Sequence, residues 1–264
     1  MKKKCLIWFF MITMVFLPAC STSLSEKDTD QTKKSEITIS AAASLGDALN
    51  EIKSQFEKTN KQITLLYNLG GSGALKQQII QGAPADIFIS ASKDQFDDLS
   101  KKGLIAEQKQ KDLLSNQIVL ITNKMNPAPL NSFQDLKKSG INKIAIGTPE
   151  TVPAGMYAKQ TLQNLDIWDG LQSKIIQTKD VRQVLTYVET KSVDAGIVYL
   201  TDLKVSEKVK VVAVAAEQSH DRIIYSAGII KSSEKKKEVS QFYDYLQTPT
   251  ARAIFKKYGF KVLD

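Results

Sequence analysis

The chain has 264 residues, a formal net charge of +8, one histidine and two cysteines. Both cysteines, Cys5 and Cys20, fall in the first 20 residues, so the body of the protein excludes disulfides, thiol nucleophiles and thiolate metal centres. Its lysines are dispersed, and no basic stripe is interleaved with aromatics, which argues against nucleic acid as a partner.

In chain order, the first segment reads as an export signal. Lys2, Lys3 and Lys4 precede the apolar run Leu6 to Leu17, too short to span a bilayer, and "LPAC" follows, ending at Cys20. That ending resembles a bacterial lipobox, in which the cysteine becomes the lipidated N-terminus. Residues 1–19 are therefore read as a signal peptide, and Cys20 as a lipid anchor on the outer face of the cell membrane. Loss of the three lysines, with no acid before Cys20, lowers the net charge from +8 to +5. Residues 20–35 carry almost no apolar side chains and are expected to form a tether.

Order should begin at residue 36. Ile37 and Ile39 sit in a β-branched run, and Leu45, Leu49, Ile52 and Phe56 recur at helical spacing after "AAAS". The unit repeats: "QITLLYN" passes through "GGSG" into "ALKQQII", and "ADIFISAS" into "KDQFDDLSKKG", a helix that should stop at Gly103. Further on, "KIAIG" leads through "TPETVPAG" into "MYAKQTLQNLDIW", and "SKIIQTKD" into "VRQVLTYVET". "NQIVLITN", "DAGIVY" and "KVVAVA" read as further strands, and "FYDYLQTPTARAIFKKYGF" as two helical segments parted at Pro249. The alternation predicts an α/β fold of mainly parallel sheets, with its working loops at the strand C-terminal ends.

At four places a strand ends in small or polar residues and a helix begins at once: Ala43-Ser44, Gly71-Ser72-Gly73, Pro153-Ala154-Gly155 and Asp180-Val181. The first amides of a helix lack partners within it and carry partial positive charge, so such starts can hold anions. Ser44 and Ser72 also fit as simple N-caps, and the residues alone leave both readings open. Chemistry is harder to accommodate. The frame Gly70-Gly71-Ser72-Gly73-Ala74 lacks the last glycine of a nucleophile elbow, and His220, the one imidazole, lies in a polar turn. No Gly-Lys-Ser or Gly-Lys-Thr is present for a phosphate-binding loop. The chain is read as a binder, not an enzyme, with no cofactor and no free metal cation.

The blocks "ITISAAASLGDALNEI", "GGSGALKQQIIQGAPADIFISAS", "GTPETVPAGMYAKQTLQNLDIWD", "DVRQVLTYVET" and "GIVYLTD" resemble the substrate-binding proteins of bacterial molybdate ABC importers, from about Ile37 to Phe260. The resemblance implies a two-lobed periplasmic-binding-protein fold of type II, each lobe a sheet flanked by helices, closing over ligand in the interlobe cleft. Lobe one would comprise residues 36–119 plus 225–264 and lobe two residues 120–224, with crossovers near Leu120 to Asn123 and Arg222 to Ser226. It further implies that Ser44 and Ser72 donate hydroxyls to the oxyanion, that Ala154 and Val181 donate backbone N–H groups, and that Tyr199 closes the shell. Molybdate or tungstate would be the ligand, molybdenum arriving only as oxyanion, and the permease and ATPase subunits of the importer the partners of a monomeric lipoprotein.

Overall fold

The computed structural model describes residues 34–127 and 129–264. The signal peptide, Cys20 and the tether up to residue 33 lie outside the described residues, and order begins at Ser35, one residue before the expected start. The chain runs through β1 (Ser35–Ala42), a 3-10 turn (Ala43–Leu45), α1 (Gly46–Thr59), β2 (Ile63–Gly70), α2 (Ser72–Ile80), β3 (Ile87–Ser90), α3 (Lys93–Lys101) and β4 (Ile105–Ser115). It then enters β5 (Ile118–Asn123), β6 (Ile144–Gly147), α4 (Pro153–Asn164), α5 (Trp168–Leu171), β7 (Ile175–Thr178), α6 (Val181–Glu189), β8 (Ala195–Tyr199) and β9 (Val209–Val214). It ends with β10 (Ile224–Ile230), α7 (Lys237–Tyr245), α8 (Pro249–Lys257) and β11 (Lys261–Val262).

Local chemistry accounts for the boundaries. Ala48, Leu49, Ile52 and Phe56 are the buried face of α1, as spacings of three and four require. The Ser92 hydroxyl accepts from Gln95 N–H at the start of α3, and Gly103, at φ +70°, takes the left-handed turn beyond its end. Thr248 caps α8 by accepting from Ala251 N–H, with Pro249 in the first turn, where its missing N–H costs nothing.

Two sheets result. The first has the order β11-β4-β10-β3-β1-β2, the second β7-β6-β8-β5-β9. Both are mixed, not mainly parallel. β1 pairs with β2 and β3 in parallel, and β6 with β7 and β8, whereas β10, β4, β11, β5 and β9 pair antiparallel. The strand–helix units supply the parallel pairs. Apart from the C-terminal β11, the antiparallel strands are those flanking the two passages between sheets, and a chain that passes to the other sheet and back re-enters each sheet in the opposite sense.

The first passage is Asn116-Gln117, between β4 and β5, and not Leu120 to Asn123, which lie inside β5 and pair on both sides. Two polar residues form the break, while the apolar run after them is buried sheet. The return passage runs from β9 through a short 3-10 turn (Glu217–Ser219) to β10. The described residues form one compact unit, and one continuous hydrophobic cluster contains buried residues from both sheets, so the two lobes are closed against each other. Among the described residues no helix is long and apolar enough to cross a membrane.

Candidate functional site

The parallel strands of each sheet end together. In the first, Ala42 pairs with Gly70 and Ala41 with Ile89; in the second, Gly147 pairs with Thr178. Each sheet thus delivers several chain turns to one edge, the usual place for ligands in α/β folds. The two edges face one another, and between them lies a small cavity of about 10 Å³, on the scale of a single water-sized sphere. Ser44, Ser72, Ala154, Val181 and Tyr199 all line it, with Ala42, Gly70, Gly71, Ala91, Val152 and Pro153 among the others. All five residues singled out in the sequence therefore converge, three from the second lobe and two from the first. No lysine or arginine lines the cavity. His220 instead lines a hollow beside the passage residues Asn116 and Gln117.

The serines are not helix caps. The N-cap of α2 is Gly71 and its Ser72 is the first helical residue, with no side-chain cap; Ser44 sits within the 3-10 turn, which also has none. Ser72 Oγ accepts from Ala91 N–H at 3.0 Å, tying α2 to the end of β3. Ser44 Oγ lies 2.9 Å from the Tyr225 hydroxyl. In the second lobe α4 also lacks a side-chain cap, whereas at α6 the Asp180 carboxylate takes the third amide, Gln183 N–H, at 2.9 Å. The caps and the cavity thus use different parts of the helix starts.

Tyr199 is the informative member. Its side chain is 1% exposed, and its hydroxyl has no hydrogen-bond partner among the described residues. Burial pushes the phenol well above its ordinary pKa, so it remains a neutral donor. The two other buried side-chain atoms without a hydrogen bond among the described residues, Gln95 Oε1 and Asp202 Oδ1, are acceptor oxygens, and the second has an ion-pair partner in Arg182. An orphaned buried donor costs about 1–3 kcal/mol, and such groups cluster where something else completes them.

Several contacts that the sequence did not announce hold the lobes together around this cavity. Arg182, next to Val181 on α6, pairs with Asp47 of α1, donates to the Ser44 carbonyl at 3.4 Å, and has its Nε 3.3 Å from Asp202 Oδ1. The other Asp202 oxygen accepts from Tyr199 N–H at 3.0 Å. Burial raises the Asp202 carboxyl to about 6 against the opposing pull of Arg182. Gly73 N–H donates to the Thr151 carbonyl at 2.9 Å, so this amide serves lobe contact and not, as its place in "GGSG" suggested, the ligand. Tyr157 Oη donates to the Ala91 carbonyl at 3.4 Å. The nearest sequence signals for Arg182 and Asp202 were their positions inside "DVRQ" and "YLTD"; nothing in those strings marks their partners.

Over residues 37–261 the chain matches the family described as bacterial extracellular solute-binding protein. A Bacillus subtilis lipoprotein, YvgL, provisionally named as an ABC transporter substrate-binding protein, is 48% identical over 260 residues, covering 98% of this chain and 99% of its own. The molybdate-binding protein ModA of Escherichia coli is 38% identical over 233 residues, 86% of this chain and 89% of that protein. The solved periplasmic molybdate-binding protein of Azotobacter vinelandii has a TM-score of 0.77 at 25% identity, covering 86% of this chain and 100% of that one. Two sheet-and-helix lobes closed over a small cavity, with matches that run through both lobes, place the chain in the family of bacterial extracellular solute-binding proteins, with their type II fold.

Proposed function

We propose that this protein is the solute-binding component of an ABC importer, capturing molybdate between its lobes and delivering it to the permease and ATPase subunits. The observation that carries the reading is the buried Tyr199 hydroxyl, without a hydrogen-bond partner among the described residues, at a cavity that Ser44, Ser72 and the first residues of α4 and α6 also line. Ser44 and Ser72 would give O–H groups, and Ala154 and Val181 the first amides of α4 and α6. Helix starts place partial positive charge at the same point. Hydrogen bonds to an ionised acceptor are about twice as strong as neutral ones, and exclusion of water strengthens them further. A tetrahedral dianion can therefore be held without a salt bridge.

Selectivity follows from size and protonation. A shell fitted to a large oxyanion leaves donors unsatisfied around sulfate, and each such donor carries a cost. Phosphate that keeps a proton would point it at other donors. Tungstate shares the charge and shape of molybdate and should bind as well. Lipidation of Cys20 would hold a monomer at the outer membrane face, within reach of the permease. Calorimetry tests the assignment directly: molybdate and tungstate should bind one to one and displace each other, and sulfate and phosphate should compete weakly. At a thousandfold excess over Kd, molybdate should raise stability by about 4 kcal/mol in a thermal melt. A rise with sulfate or phosphate and none with molybdate would sink the assignment.

A further inference from the structure

Behind Ser44 runs a chain of polar contacts that the donor shell itself does not contain. The Asn116 side chain, in the first passage between lobes, has its Oδ1 claimed by Gln117 N–H at 2.9 Å. That fixes its orientation, since an amide nitrogen could not accept there. Its Nδ2 then faces two hydroxyls, Thr201 Oγ1 at 2.9 Å and Tyr225 Oη at 3.2 Å. An amide nitrogen only donates, so the Tyr225 oxygen is an acceptor on that side and has one hydrogen left to give. Ser44 Oγ, 2.9 Å away, is in place to take it. Ser44, having accepted, has its own hydrogen to direct into the cavity.

Ser72 is set the same way by a different donor, because Ala91 N–H fills its acceptor side. Tyr225 is fully buried and its ring packs edge-on against Phe260 at 5.4 Å and tilted against Tyr199 at 5.9 Å, which holds its hydroxyl beside Ser44. Thr201, the second Asn116 contact, lies two residues after Tyr199 in the other lobe. One side chain thus touches the partner of Ser44 in the first lobe and the segment after Tyr199 in the second.

We propose that Asn116 and Tyr225 are positioning residues that fix the direction of the Ser44 hydroxyl, holding it as a donor and so making the cavity selective for fully deprotonated oxyanions. The proposal rests on the molybdate reading above. Neither residue lines the cavity; Tyr225 acts through Ser44, and Asn116 through Tyr225. Asn116→Asp reverses the chain: a carboxylate accepts from Tyr225, the Tyr225 oxygen accepts from Ser44, and Ser44 turns a lone pair toward the anion.

The test is a double-mutant cycle on molybdate Kd by calorimetry, with Asn116→Asp, Tyr225→Phe and the double variant. Asn116→Asp should weaken binding about 10- to 100-fold, the range expected when one hydrogen bond to a charged group is lost. In the Tyr225→Phe background, where no phenol transmits the reversal, the same substitution should cost less than about threefold. Equal losses in both backgrounds would mean that the new charge acts directly, and would overturn the relay. Should Asn116→Asp fail to fold, Asn116→Leu frees the phenol without adding charge. It should weaken binding about threefold when made alone and not at all when added to Tyr225→Phe; equal losses again overturn the proposal. A wild type that does not bind molybdate overturns the proposed function itself, and is told apart from these outcomes before any variant is made.

Discussion

Tyr199 and Ser72 both reach the cavity, yet losing either hydroxyl has different consequences. Ser72 Oγ is also the acceptor for Ala91 N–H, so Ser72→Ala strands a buried amide and should reduce the stability of the ligand-free protein as well as its affinity. Both losses should be about 1–3 kcal/mol, and calorimetry alone would not separate them from a general loosening of the fold. Tyr199→Phe is the cleaner probe. Its hydroxyl has no hydrogen-bond partner among the described residues, so the ligand-free melting temperature should stay unchanged or rise, while molybdate binding weakens by about 1.5–3 kcal/mol. Parallel losses of stability and affinity would take the hydroxyl out of the site. At this scale the sequence was legible where a residue's job is local. Strand ends followed by small residues marked Ser44, Ser72, Ala154 and Val181 as candidates, and the resemblance supplied Tyr199. Tyr225 was beyond reach, because its partner Ser44 is 181 positions away and nothing in either string encodes the other.

Among the elements, α2 is where lobe closure is most exposed to a single substitution. A Cβ at Gly73 would sit 2.8 Å from the Thr151 Cα and 3.0 Å from its carbonyl oxygen, and backbone atoms cannot step aside. Gly71 is similar, with a Cβ 2.7 Å from the same carbonyl. These glycines therefore serve close approach of the two lobes. Gly73 has no positive φ, so alanine is conformationally acceptable there and favours the helix by up to about 1 kcal/mol. Gly73→Ala should keep the lobes from closing fully, weaken molybdate binding, and leave the molybdate-saturated variant with a larger radius in small-angle scattering than the wild type. Contraction of the variant to the wild-type radius would rule out this role. The strand–turn–helix units could be read from hydrophobic spacing because each buries its own face. β4 could not: "IAEQKQKDLLS" has a largely polar middle, since one of its neighbours, β11, covers only its last two residues and leaves most of that side at an edge. β5 and β9 could be read as strands, but their antiparallel sense could not, because it depends on where the chain changes lobes.

For the molecule as a whole, closure places an ionisable group where pH can act on stability. Asp202 is fully buried; burial raises its carboxyl to about 6, Arg182 and Tyr199 N–H pull it down, and the carboxylates of Asp47 and Asp180 push it up. An unfolded aspartate titrates near 3.9, so the folded protein holds this proton more tightly than the unfolded chain does. The stability gained from that proton is complete below about pH 4, declines as pH rises, and is gone above about pH 6. A span of about two pH units corresponds to about 2–3 kcal/mol. Asp86 works in the other direction. Its carboxyl is held below the ordinary value by Lys236, Ser233 and Thr38 N–H, which outweigh its partial burial, so its contribution is lost as pH falls. The measured curve sums both, and only a difference isolates Asp202. Asp202→Asn keeps an oxygen that can accept from Tyr199 N–H and removes the titration. Wild-type stability minus that of the variant, from urea melts, should fall by about 2–3 kcal/mol between about pH 4 and pH 6.5. A difference that rises over this range would mean that Arg182 keeps the carboxylate ionised throughout. In that case the Asp47–Arg182–Asp202 bridge between the lobes would be strongest in neutral solution, and acid would loosen the clamp instead of tightening the fold.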